Sequence, residues 1–73
     1  MWYWEVLWKD SDDNIHSFFS LKGYSNQVVA VTVLSTNMER IKSDLKSMGC
    51  VQIVDQQIVY KVNGSLYQDG GIL

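Results

Sequence analysis

The stretch VVAVTVLSTNMERIKSDLKSMG, Val28 to Gly49, decides the architecture. Its first seven residues, Val28 to Leu34, are dense in β-branched side chains, which favour the pleated chain over the helix. Val29, Val31 and Val33 fall on one face of an extended chain, and Val28, Ala30, Thr32 and Leu34 on the other. Apolar character on both faces reads as an interior strand buried on two sides. Thr36-Asn37-Met38-Glu39 then fits a capping box, with Thr36 as N-cap and Glu39 reaching back from the third helical position. Met38, Ile41, Leu45 and Met48 share one apolar stripe, while Glu39, Lys42, Ser43, Asp44 and Lys46 face water. Gly49 stands where a left-handed C-cap belongs. The segment therefore predicts a buried strand running into an amphipathic helix over about 37–48.

Upstream, WYWEVLWK (2–9) alternates strictly, with Trp2, Trp4, Val6 and Trp8 on one face and Tyr3, Glu5, Leu7 and Lys9 on the other. DSDDN (10–14) is rich in residues that bond their own backbone in turns. Ile15 to Lys22 gives a second strand, with Phe19 and Leu21 on one face and His16 and Phe18 on the other. A hairpin closing on Asp12-Asp13 would pair Trp8 with Ser17, Val6 with Phe19 and Trp4 with Leu21, which brings the apolar faces together. The reverse face would set Leu7 opposite Phe18 with Tyr3 nearby. GYSNQ (23–27) reads as a loop.

Downstream, Cys50 to Val54 is expected to return to the sheet, and Asp55-Gln56 fits either a turn or a bulge. Gln57 to Val62 is a further strand, and Asn63-Gly64 is the favoured dipeptide of a type I′ turn. That turn would place Tyr60 opposite Tyr67 in a terminal hairpin with Ser65 to Gln68, leaving 69–73 as a loose tail. The expected fold is α+β: one small domain over 1–73, ordered β-β-β-α-β-β(-β), with a mostly antiparallel sheet and one helix packed on one face. One helix covers one face only, so the Tyr3/Leu7/Phe18 face calls for a barrel-like curl or a second subunit, and a homodimer is the expectation.

Composition narrows the function classes. Seventy-three residues sit near the lower size at which one core is self-sufficient, and 47% hydrophobic content without proline excludes a disordered segment. One cysteine allows no intrachain disulfide, which favours a cytoplasmic over a secreted setting. The net charge is −2, with Arg40 the single arginine beside five scattered lysines, so non-specific nucleic-acid binding is disfavoured and nucleic acid is not the expected partner. No run is long enough for a membrane span, and the Trp-rich start lacks the basic region of a signal peptide, so a membrane role is not expected.

Catalytic chemistry finds little footing. Asp10, Asp12 and Asn14 are spaced like the first ligands of a calcium loop, but Ile15 stands where glycine is needed and Leu21 where glutamate is needed. An acidic hairpin turn explains them better. Cys50 and His16 are the single Cys and His, on different strands, and Cys50 fits a core position. Glu5 and Asp55 have no spacing that marks an acid–base pair. There is no P-loop, GxGxxG or CxxC motif, and Asn63-Gly64-Ser65 is a glycosylation sequon that the turn itself explains. No enzyme, metal or cofactor is expected.

The stripe Trp2-Trp4-Trp8 could stack a ligand or anchor a partner, but its simpler use is to pack beneath Met38, Ile41, Leu45 and Met48, with Trp2 at the strand end the exception. A non-enzymatic protein-binding module is the leading expectation, with Trp2, Tyr3, Leu7, His16, Phe18, Tyr24, Tyr60 and Tyr67 as candidate partner-binding residues. In size and aromatic content the chain is similar to small phage or mobile-element proteins that inhibit host factors, a likeness carried by no particular residue. The alternatives are a homo-oligomer with an aromatic pocket for a nucleotide-like ligand, and a single-strand nucleic-acid binder using Lys9, Lys22 and Lys61.

Overall fold

The computed structural model describes residues 1–62. The expected turn at Asn63-Gly64, the Ser65 to Gln68 strand, Tyr67 and the 69–73 tail lie outside the described residues. Within them the class is α+β, with β1 Trp2–Lys9, β2 Ile15–Phe19, α1 Gln27–Thr36, α2 Met38–Ser47 and β3 Gln52–Tyr60. The sheet order is β2-β1-β3, both pairings antiparallel, so the Trp-rich strand is central.

The first correction falls on the stretch that was to decide the fold. Val28 to Leu34 is helix, not strand, and two helices replace the expected one. Asn26 caps α1, its extended backbone (φ −143°, ψ 162°) letting the side-chain oxygen accept from the Val29 N–H at 2.9 Å. The buried residues of α1 are Ala30 and Leu34, one helical turn apart, with Val33 half-buried beside them. Val28, Val29 and Val31 face solvent, and the β-branched penalty they carry is offset by burial of the other side.

Thr36 is the last residue of α1 and not an N-cap. With a helix already running into it, the turn ahead of Met38 has few orphan N–H groups for a capping box to satisfy. The interruption sits at Asn37 (φ −102°, ψ 10°), whose backbone N–H and side-chain Nδ2 both donate to Val33 O, at 3.1 and 2.9 Å. A side chain competing for an intrahelical carbonyl disturbs the helical ladder, and the helix is interrupted there. At the far end Gly49 takes φ +100°, Cys50 N donates to Leu45 O and Gly49 N to Lys46 O, the paired bonds of a Schellman motif. That expectation stands.

The hairpin register differs by one residue from the expected one: Trp8 pairs with His16, Val6 with Phe18 and Glu5 with Phe19. Asp10 is the cause. Its Oδ1 accepts from Asp12 N (2.8 Å) and Asn14 N (3.1 Å), while Asp10 N donates to Asn14 O and Asp13 N to Asp10 O. Asp13 turns left-handed (φ 71°), so the loop takes three residues between Asp10 and Asn14 where a two-residue turn was expected. A one-residue slip exchanges the faces of β2. Phe18 therefore joins Val6 on the helix-covered face, not the reverse face, and Leu7 stands opposite Ser17.

β3 is one strand with a bulge, which settles the Asp55-Gln56 ambiguity. Leu7 pairs with Asp55 and Trp8 with Ile53, leaving Val54 as the extra residue. The core sits between sheet and helices: Trp4, Val6 and Trp8 against Leu34, Ile41 and Leu45, all under 10% exposed. Phe18, Val33, Met38, Ile53 and Ile58 pack at its margin, while Met48 is 48% exposed and outside the expected stripe. Trp2 is half-buried, against the Tyr60 ring edge at 5.1 Å. The reverse face is partly covered within the one chain, since Tyr3 and Glu5 are buried, and Gln57 Nε2 donates to Glu5 Oε1. Of the Tyr3/Leu7/Phe18 face expected to need outside cover, Tyr3 is buried within the one chain, Phe18 lies on the other face and Leu7 is half-buried. No helix among the described residues is long and apolar enough to cross a membrane.

Candidate functional site

The geometry of interest begins where β2 ends. Ser20 is buried and locked to the central strand, its N–H donating to Trp4 O (3.0 Å) and its Oγ accepting from Trp4 N (3.3 Å). Tyr24 rejoins the same strand through Trp2, with reciprocal backbone bonds of 2.7 and 2.8 Å. Between those two anchor points Leu21, Lys22 and Gly23 stand opposite Tyr3 alone. Three residues facing one must bow out of the sheet edge. Gly23 permits this: a Cβ there would lie 2.8 Å from Tyr3 Cζ and from Met1 Cβ and Sδ. The bowed segment therefore closes over Tyr3 with its glycine and throws Leu21 outward, where the side chain is 99% exposed.

Beside this bulge lies an open groove of about 470 Å³ between the 18–24 segment and the helices. Trp4, Phe18, Tyr24 and Val33 form its apolar part, Leu21 and Lys22 its outer lip, and Asn37, Arg40 and Asp44 its helical rim. Trp4 meets Phe18 edge-on, centroids 5.6 Å apart at 62°, so each ring is held by the other. The Lys22 ammonium lies 5.9 Å from the centre of the Tyr24 ring. Arg40 and Asp44 stand on α2, three and seven residues past the break at Asn37, and Val33 on α1, four residues before it. A shallower hollow of about 240 Å³ lies under the end of α2, between Leu45, Cys50 and Ile53.

The expected site residues are not brought together into one surface. Phe18 and Tyr24 line the groove. Tyr3 is buried beneath Gly23, and Leu7 is half-buried on the reverse face. Trp2, bonded to Tyr24 through its backbone, forms an aromatic pair with Tyr60 across β1 and β3 and does not line the groove, and Tyr60 is 59% exposed. His16 stacks on Trp8 (4.3 Å, 23°) and its Nε2 lies 2.7 Å from Asp10 Oδ2. That contact, followed by the Asn14 N–H, holds the Asp10 carboxyl below its usual 3.8. His16 is thus a hairpin brace, while Cys50 packs half-buried at the core margin. Among the described residues no group of three His, Cys, Asp or Glu side chains is placed to hold a metal.

Leu21, Val33 and Arg40 are groove residues the sequence reading missed. Val33 was hidden by the strand assignment, and Leu21 by the register slip that set it opposite Trp4. The one available signal was Gly23, directly after the expected Ile15 to Lys22 strand, which the structure ends at Phe19. No protein-family model, curated protein or solved structure matches this chain.

Proposed function

We propose that this chain is a small non-enzymatic protein-interaction module that binds its partner through the groove beside the 21–23 bulge. The observation that carries this reading is Leu21, a large apolar side chain 99% exposed on a constrained bulge at the lip of an aromatic-lined groove. Binding energy at an interface is concentrated in a few side chains that become fully desolvated in pockets, Trp, Tyr and Arg most often, and an exposed apolar group beside an aromatic-lined groove can supply such a contact. Leu21 meets that description from one side and Phe18, Tyr24 and Val33 from the other. The titratable groups at the rim are Lys22, Arg40 and Asp44, all exposed, an arrangement suited to recognition more than to acid–base work.

The test is capture of a partner from a lysate by the immobilised wild-type chain, repeated with Leu21→Asp. Leu21 makes no buried contact, so the variant keeps the fold, and its circular dichroism and melting curve match the wild type. A partner retained by the wild type and lost with the variant supports the reading. Retention by both places binding elsewhere and refutes it. A second reading, a small-ligand site, is favoured by the groove volume alone, which lies in the range of ligand pockets. A nucleotide-like compound that raises the melting temperature of wild type and Leu21→Asp alike would favour it.

A further inference from the structure

The chemistry of the groove narrows what the partner must present. We infer that the groove takes a protein segment carrying one apolar side chain next to a carboxylate. This rests on the interaction reading above and goes beyond it by naming the recognised chemistry.

The apolar half follows from Trp4, Phe18, Tyr24 and Val33, which line a groove of about 470 Å³, ample for a large apolar side chain. The acidic half follows from charge. The chain carries eight carboxylate side chains against six Lys and Arg, yet this rim holds two cations, Lys22 and Arg40, and one carboxylate, Asp44. Elsewhere Lys9 pairs with Asp13 at 3.1 Å and Lys42 lies 3.9 Å from Glu39, while Lys46 and Lys61 stand apart and without an ion pair among the described residues. Among the described residues neither Lys22 nor Arg40 has a carboxylate within ion-pair distance, and Arg40 does not close on Asp44 although the two are one helical turn apart. An acidic group from outside is the complement such a rim lacks, and Arg offers it a bidentate fork. Asp44 keeps the local excess to one positive charge, which suits a single carboxylate and not a polyanion.

The same geometry disfavours a nucleic acid. Base stacking needs an open ring face, but Trp4 is 5% exposed and edge-on to Phe18, and Lys22 overlies Tyr24. Two cations also neutralise too few phosphates for backbone-driven binding.

The experiment is amide chemical-shift mapping by two-dimensional NMR with two capped peptides, Ac-Gly-Phe-Asp-Gly-amide and Ac-Gly-Phe-Lys-Gly-amide. The reporters are the backbone amides of Leu21, Lys22, Tyr24, Asn37 and Arg40. The expected result is binding of the aspartyl peptide at these amides with about fivefold lower Kd than the lysyl peptide. That preference shrinks with added salt and disappears in the Lys22→Gln/Arg40→Gln variant, both positions being exposed. Equal affinity for both peptides, or no shift at these amides, overturns the inference. An oligo-dT that shifts them more strongly than the aspartyl peptide overturns it in favour of nucleic acid. Failure of the peptides while Leu21-dependent capture persists removes only this inference. Failure of Leu21 dependence removes the interaction reading itself.

Discussion

Replacing Val28 and Leu34 separately by alanine distinguishes the two conformations open to the segment that begins at Val28. On a strand the two positions share a face, being six residues apart, and would respond alike. On a helix six residues turn the chain by roughly 240°, so they point in different directions. In the structure Leu34 is 7% exposed in the core cluster and Val28 is 73% exposed. Leu34→Ala removes buried carbons against Trp4, Ile41 and their neighbours and is expected to cost about 2–5 kcal/mol. Val28→Ala gives up the burial of about a quarter of two methyl groups, ~0.4 kcal/mol, and gains roughly 0.5 kcal/mol of helix propensity. Its net effect is therefore about zero. Urea unfolding followed by circular dichroism measures both, with Leu34→Val as a milder companion should Leu34→Ala fail to fold. Similar large losses at both positions would refute the helix and restore the strand.

Two further outcomes test particular joints of the fold. Gly49→Ala, at φ +100° with open space around the added methyl, is expected to lose about 1 kcal/mol through backbone strain alone, read as a shift in urea midpoint without change in slope. Asp10 has a carboxyl pKa held below its usual 3.8 by His16 and the Asn14 N–H, so the folded state binds its proton less readily than the unfolded chain. Its contribution is fully present above the ordinary carboxylate value and is lost as pH falls through the lowered one. Stability measured from pH 5 to pH 2 should decline less steeply in Asp10→Asn than in the wild type, and parallel curves would show that the His16 brace carries no linkage.

The sequence made the central strand legible because alternation over Trp2 to Lys9 admits one reading, and it made the Met38 to Gly49 helix legible through its stripe and its C-terminal glycine. It misled at Val28 to Leu34 because a short apolar run has no period of its own, and β-branched content tipped it towards strand. A longer view carried the correct signal: Ala30, Leu34, Asn37, Ile41 and Leu45 continue one helical stripe through both helices, with Ser25-Asn26 as a capping start. The hairpin register turned on whether Asp13 enters the left-handed region, a choice of single-residue geometry that alternation cannot see. That choice set the faces of β2, and with them the candidate site. Phe18 moved to the groove, Leu21 moved into solvent, and Tyr3 was lost beneath Gly23. Local pattern thus carried the elements, while their pairing carried the surface.

The affinity of the isolated partner for the wild type, for Leu21→Asp and for Val28→Asp, measured by titration calorimetry, tests the central claim most directly. Both positions are exposed, so both variants fold, but only Leu21 borders the groove. The account predicts at least about a tenfold loss of affinity for Leu21→Asp and none for Val28→Asp. Equal affinities for wild type and Leu21→Asp would contradict it.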